Sequence, residues 1–171
     1  MTMDNKHQYT APGPYPTIRC NGPNPRYAQL LTIDFASSKG ELTAITEYVY
    51  QSWMLVPENA SAARAMQSVA MVEMHHLDML GTLIAMLGGN PKYRSVSSQN
   101  IRTVWTGSMP PYCRTVRDAM KNNIRAEEEA IATYERHASV IRDPAVVAVL
   151  NRIIQDEKVH IKVFRSYLEQ A

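Results

Sequence analysis

Two Glu-x-x-His patterns, Glu73-Met-His-His76 and Glu157-Lys-Val-His160, and two lone glutamates, Glu41 and Glu127, carry the chemistry available to this sequence. Residues three apart share one helical face, so within each pattern a carboxylate and an imidazole can reach the same metal ion or neighbouring ones. The lone glutamates open matching runs, Glu41-Leu-Thr-Ala-Ile-Thr-Glu-Tyr48 and Glu127-Glu-Glu-Ala-Ile-Ala-Thr-Tyr134, with Glu, Ala, Ile and Tyr at the same offsets. The copies lie 86 residues apart for the lone glutamates and 84 apart for the Glu-x-x-His patterns. Half of the chain therefore maps onto the other half. Four carboxylates and two imidazoles aimed inward from four helices form the ligand set of a dinuclear metal centre.

Four helices must position them. Residues 1–24, with Pro12, Pro14, Pro16 and Pro23 among Gly and Asn, cannot form a helix or a central strand and read as an irregular arm. Asn24-Pro25 supplies an N-cap followed by proline at the first helical position, and a helix can run from there to about Leu55, before Pro57. A second helix starts near Ser61 and ends at Gly88-Gly89. A third runs from near Pro111 to about Val140, and Asp143-Pro144 opens a fourth that reaches about Leu168. The first two helices and the last two are joined by short links, so each pair is an antiparallel hairpin. The middle link has roughly 20 residues and can span about 66 Å, against about 45 Å for a 30-residue helix. It can cross the whole bundle, which lets the second and third helices run parallel. Residues 25–171 are thus expected to form one all-α domain, a four-helix bundle of two repeat-related hairpins joined by a long crossover.

Each candidate ligand falls on its helix's apolar stripe. The stripes are Glu41, Ala44, Ile45, Tyr48, Leu55; Val69, Glu73, His76, Leu80, Leu83, Leu87; Met120, Ile124, Glu127, Ile131, Tyr134, Ala138; and Val147, Leu150, Ile154, Glu157, Ile161, Phe164, Leu168. An acid stands in every helix where a core residue belongs. An unpaired buried carboxylate costs several kcal/mol, and cations remove that penalty. Glu47, Glu128 and Glu129 are turned about 240°, 100° and 200° from the lone glutamates and read as surface or interface acids. His75 points away from His76, and His137 near a helix C-terminus reads as structural. Tyr48 and Tyr134 lie on the glutamate stripes and are either core aromatics or neighbours of the metals. The methionines of the second helix suit core filling.

Bulk properties narrow the function classes. A net charge of +2 gives no argument for nucleic acid, and neither Trp105 nor the basic residues of the crossover forms a nucleic-acid pattern. Cys20 and Cys113 form no C-x-x-C pair, so there is no rubredoxin-type or zinc-ribbon module and no disulfide framework. No apolar run reaches membrane-spanning length, and residues 1–20 lack a signal-peptide profile, so a cytoplasmic protein is expected.

Over residues 25–168 the chain resembles the ferritin-like superfamily, and within it the manganese-catalase and rubrerythrin branches. Glu41-Leu-Thr-Ala-Ile with Tyr48-Val-Tyr-Gln51 resembles the first helix of manganese catalases and their spore-coat relatives. Glu73-Met-His-His76-Leu and Ala126-Glu127-Glu-Glu-Ala-Ile131 resemble the second- and third-helix motifs of that group. The resemblance implies Glu41, Glu73, His76, Glu127 and His160 as ligands of two metal ions, Mn or Fe. It implies Glu157 as a sixth ligand in a rubrerythrin-like site, or as a base just outside the metals in a catalase-like one. The implied activity is disproportionation or reduction of hydrogen peroxide, with Glu157 shuttling protons and an external electron donor if the protein is a peroxidase. The alternatives are ferritin-type iron oxidation and storage with dioxygen, or a structural spore-coat or shell component with a stabilising metal site. A homo-oligomer is expected, with the arm lying on the bundle or on a neighbouring subunit.

Overall fold

The computed structural model describes residues 8–97 and 99–171. Its helices are α1 (Pro25–Ala36), α2 (Glu41–Met54), α3 (Ala60–Met86), α4 (Val116–Val140) and α5 (Pro144–Leu168). The caps explain the starts. Asn24, Asn59, Thr115 and Asp143 each accept backbone N–H groups from the first turn that follows, and proline opens α1 and α5. The crossover holds two short antiparallel strands, β1 (Arg94–Val96) and β2 (Arg102–Val104), with Ser95 opposite Thr103.

Two apolar clusters fill the bundle, and the turns that carry Glu73, His76, Glu157 and His160 lie between them. One gathers Leu80, Leu83, Leu87, Val149, Leu150, Ile153 and Ile141; the other gathers Leu55, Met66, Val69, Val116, Met120 and Phe164. Following each helix from cluster to cluster gives its direction. α3 and α4 both run from the second cluster to the first, whereas α2 and α5 run the other way. α2–α3 and α4–α5 are therefore antiparallel hairpins, and α3 and α4 are parallel across the crossover. This is the four-helix bundle of two hairpins that the loop lengths imply. The two turns differ in length: residues 55–59 join α2 to α3, but 141–143 join α4 to α5. That two-residue difference accounts for the repeat offsets of 86 and 84.

The first helix is not continuous. It breaks at Ser37–Gly40, and Glu41 becomes the first residue of α2. Gly40 permits the break, because a Cβ there would stand 2.5 Å from the Asp34 carbonyl oxygen and 2.8 Å from that of Ile33. The third helix also starts later than Pro111, at Val116, where Thr115 provides the cap. The sequence expectation on the arm extends to residues 1–7, which lie outside the described residues. Residues 8–24 carry no α-helix and no strand and pack against the bundle, burying Tyr9 and Ala11.

Candidate metal centre

Glu41, Glu73, His76, Glu127, Glu157 and His160 converge at the bundle centre, all buried. Their donor atoms form two groups, each within 4.8 Å: Glu41, Glu73, His76 and Glu157 in one, Glu73, Glu127, Glu157 and His160 in the other. Glu73 and Glu157 belong to both groups, whereas Glu41 and Glu127 each belong to one. The helical repeat relates the pairs: Glu41 to Glu127, and each Glu-x-x-His to its copy. Shared carboxylates between two imidazole-bearing ends are the geometry of a bridged dinuclear site.

The fit to metal is visible in the unpaired atoms. Glu73 Oε1, Glu157 Oε2 and His160 Nδ1 are buried with no hydrogen-bond partner. Yet His160 Nδ1 lies 2.9 Å from Glu73 Oε1 and 2.8 Å from Glu157 Oε2. These atoms are close enough to pair as ions but make no hydrogen bond, and a cation among them would satisfy all three. Buried polar groups are otherwise nearly always satisfied, so such a set calls for an ion. The charges agree. With all four carboxylates ionised and both imidazoles neutral the set would carry −4, which two divalent cations would balance.

Protonation in the metal-free site follows the same arithmetic. Burial pushes the Glu41 carboxyl well up, reinforced by Glu73 and Glu157. Burial, then Glu157 and Glu73, push Glu127 up to about 8. Burial also opposes charge on Glu73, but His160 and His76 hold it below the ordinary range. Burial opposes charge on both imidazoles too, and the neighbouring carboxylates override it, with Glu157 foremost at His76 and Glu73 foremost at His160. Protons thus stand where cations would otherwise supply the positive charge, and metal binding must displace them.

A shell of hydrogen bonds orients these groups. Tyr48 donates to Glu127 Oε1 at 2.6 Å, and Tyr134 donates to Glu41 Oε1, so each half's tyrosine holds the other half's lone glutamate. His76 Nε2 meets Asp156 Oδ2 at 3.1 Å, and His160 Nε2 meets the Tyr9 carbonyl at 3.0 Å. A carbonyl and a carboxylate can only accept, so each Nε2 carries the proton that it donates, and each Nδ1 faces the centre. Asp156 also accepts from Tyr15, the Ala11 N–H and Arg152. Asp156 was not recognised from the sequence. Its signal was the acid directly before a Glu-x-x-His, four residues before His160 and four after Arg152.

The outlying acids and histidines divide. Glu128 and Glu129 are exposed and pair with Arg165 and Lys39 on the surface, as their helical angles imply. His75 is exposed on α3 and meets Tyr15 edge-to-face. His137 is buried and structural, with Nδ1 2.7 Å from Asp34 Oδ2. The expectation that Glu47 lies on the surface is corrected. Glu47 is only 3% exposed and accepts from Asn122 at 2.7 Å and Gln51 at 2.9 Å. A helical wheel treats the face away from the core as solvent, but here that face meets Asn122 of α4. Glu47, Met109 and Pro111 line a pocket of about 160 Å³. The pocket has Lys39, Arg125 and Asn122 in its walls and reaches Glu41, Glu127 and Glu157.

A profile of the ferritin-like domain family matches residues 37–171. Among curated proteins, the chain is 21% identical to a probable manganese catalase of Clostridium acetobutylicum, over 90% of this chain and 75% of that protein. Among solved structures, it resembles a manganese catalase from Anabaena PCC7120, with a TM-score of 0.82, 28% identity and coverage of 94% and 78% of the two chains. A bacterioferritin of Mycobacterium tuberculosis shares the fold, with a TM-score of 0.71, 22% identity and 87% of each chain covered.

Proposed function

Because the chain belongs to the ferritin-like family, we propose that it is a dinuclear manganese or iron protein that acts on hydrogen peroxide. The observation that carries this reading is the pair of overlapping ligand groups sharing Glu73 and Glu157. Glu41 and His76 would complete one metal position, and Glu127 and His160 the other. In this reading residues 25–171 are the working domain and residues 1–24 its arm. When bound, two such ions supply a two-electron redox couple, which peroxide reduction or disproportionation requires. Donors of this type suit manganese and non-haem iron alike.

The chain's own residues supply the rest. The pocket reaches the site past Glu47 and between α2 and α4, and it admits a small neutral molecule to the carboxylates. Glu157 lines that pocket, and in the catalase-like arrangement, where it would stand just outside the metals, its carboxylate is the group placed to take a proton from arriving peroxide and return it to the leaving product. Tyr48 and Tyr134 hold Glu127 and Glu41 in place while the local charge changes. The similarity to manganese catalases supports peroxide chemistry over iron storage. Among the described residues no helix is long and apolar enough to cross a membrane.

The test is reconstitution of metal-stripped protein with Mn(II) or Fe(II), followed by metal-to-chain stoichiometry and dioxygen release from hydrogen peroxide. Two ions per chain with dioxygen evolved is the expected result; peroxide lost only with an added reductant indicates a peroxidase. Two ions bound with no peroxide turnover overturns the enzymatic reading in favour of a structural or storage role. His76→Ala and His160→Ala should abolish uptake while the helical circular dichroism persists.

A further inference from the structure

The repeat that duplicates the ligands does not duplicate what stands behind them. His76 is backed by Asp156, directly before the Glu157 of the opposite half. At the offset of 84, the residue matching Asp156 is Val72, which can accept no hydrogen bond. The bundle thus leaves the outer nitrogen of His160 without its acceptor. The arm supplies one, through the Tyr9 carbonyl at 3.0 Å. The same arm reaches the backing of the other imidazole. Ala11 N–H donates to Asp156 Oδ1 and Tyr15 O–H to Asp156 Oδ2, each at 2.6 Å. Arg152 ties the two together: it pairs with Asp156, donates to the Ala11 carbonyl at 3.0 Å and lies 4.0 Å over the Tyr15 ring.

We propose that the segment Tyr9–Tyr15 is a positioning element of the metal centre, and that its docking and metal binding are coupled. The inference rests on the metal-binding reading of the site. Its physical basis is the orientation of the imidazoles. A donated Nε2–H fixes ring rotation and tautomer, so Nδ1 presents its lone pair to the centre. With the arm undocked, Nε2 of His160 loses its acceptor and Asp156 loses two of its donors, so neither ring is held for an incoming ion. Coupling is reciprocal by thermodynamic necessity: if the docked arm raises metal affinity, bound metal must hold the arm down by the same factor.

Three measurements on the whole protein test this. Hydrogen exchange at residues 9–15, the Ala11 amide above all, should slow about tenfold or more when metal-stripped protein is loaded with Mn(II). A variant lacking residues 1–15 should keep its helical circular dichroism and bind Mn(II) about 10- to 100-fold more weakly in chelator competition, the usual loss for removing outer partners of a metal-bound histidine. Tyr15→Phe in the full chain should weaken binding in the same direction by a smaller factor, which guards against a truncation that fails to fold. Exchange indifferent to metal, or Mn(II) affinity within twofold of wild type in both variants, overturns the proposal and leaves the site intact. Absence of Mn(II) and Fe(II) uptake by the full-length chain overturns the site reading and this inference with it.

Discussion

Replacing Glu47 by Gln isolates the cost of a buried carboxylate that the metals do not neutralise. Burial lifts its carboxyl from 4.5 to about 7, and the hydrogen bonds from Asn122 and Gln51 offset only part of that. The sign follows from proton counting. Between pH 4.5 and about 7 the folded chain keeps a proton that the unfolded chain has lost, so stability falls as pH rises through this window. A tenfold change in proton affinity is about 1.4 kcal/mol, so the ionised side chain costs roughly 3 kcal/mol above pH 7. Glutamine keeps the acceptor for both amides and carries no charge. Glu47→Gln should therefore leave stability nearly unchanged at pH 5 and raise it by about 2–3 kcal/mol at pH 8, or roughly 5–10 °C in Tm for a chain of this size. The assay is thermal and urea unfolding of metal-stripped wild type and variant from pH 5 to 8.5. A stability difference that does not change with pH, or a variant less stable than wild type at pH 8, would refute the reasoning.

Tyr48→Phe and Tyr134→Phe should each lower stability by about 1–3 kcal/mol in thermal unfolding, since each leaves a buried glutamate oxygen without its donor; a neutral result for either breaks the equivalence of the two halves. His137→Ala should cost about 3 kcal/mol by stranding Asp34, which is 4% exposed, and the double variant with Asp34→Ala should recover part of the loss. Trp53 and Val56 are 67% and 53% exposed near the end of α2 and suit a subunit contact. The protein should elute from size exclusion above the mass of a single chain, and Trp53→Glu with Val56→Glu should lower that mass; a wild-type monomer at micromolar concentration counts against the homo-oligomer.

The converging acids were legible because a buried acid on a helix interrupts a periodic apolar stripe, and four such interruptions occur here at repeat-related offsets. Helix direction was legible from the prolines and from loop length, because a short turn can only reverse the chain. Glu47 was not, since its partner is Asn122 of α4, a neighbour that the periodicity of α2 does not contain. The break before Glu41 left a trace in Ser37-Ser38-Lys39-Gly40, but a glycine within an otherwise periodic helix does not show by itself how closely a neighbouring carbonyl approaches. The backing of the imidazoles was hidden for another reason. Tyr9 acts through its carbonyl, which every residue possesses, so no side-chain pattern could mark it.

The two hairpins divide the ligands evenly, with Glu41, Glu73 and His76 on one and Glu127, Glu157 and His160 on the other, yet each donor group borrows a carboxylate from the opposite hairpin. Neither hairpin alone can present a complete set. Two copies of one hairpin, docked about the same axis, could. In architectural terms the chain resembles two like hairpins joined head to tail, with the crossover as the splice. The turns at the far ends differ by two residues without disturbing the centre, because register is kept within each hairpin by its own apolar stripe. A designed 50-residue hairpin carrying only the Glu41, Glu73 and His76 half would be the minimal unit from which such a centre could be rebuilt by self-association.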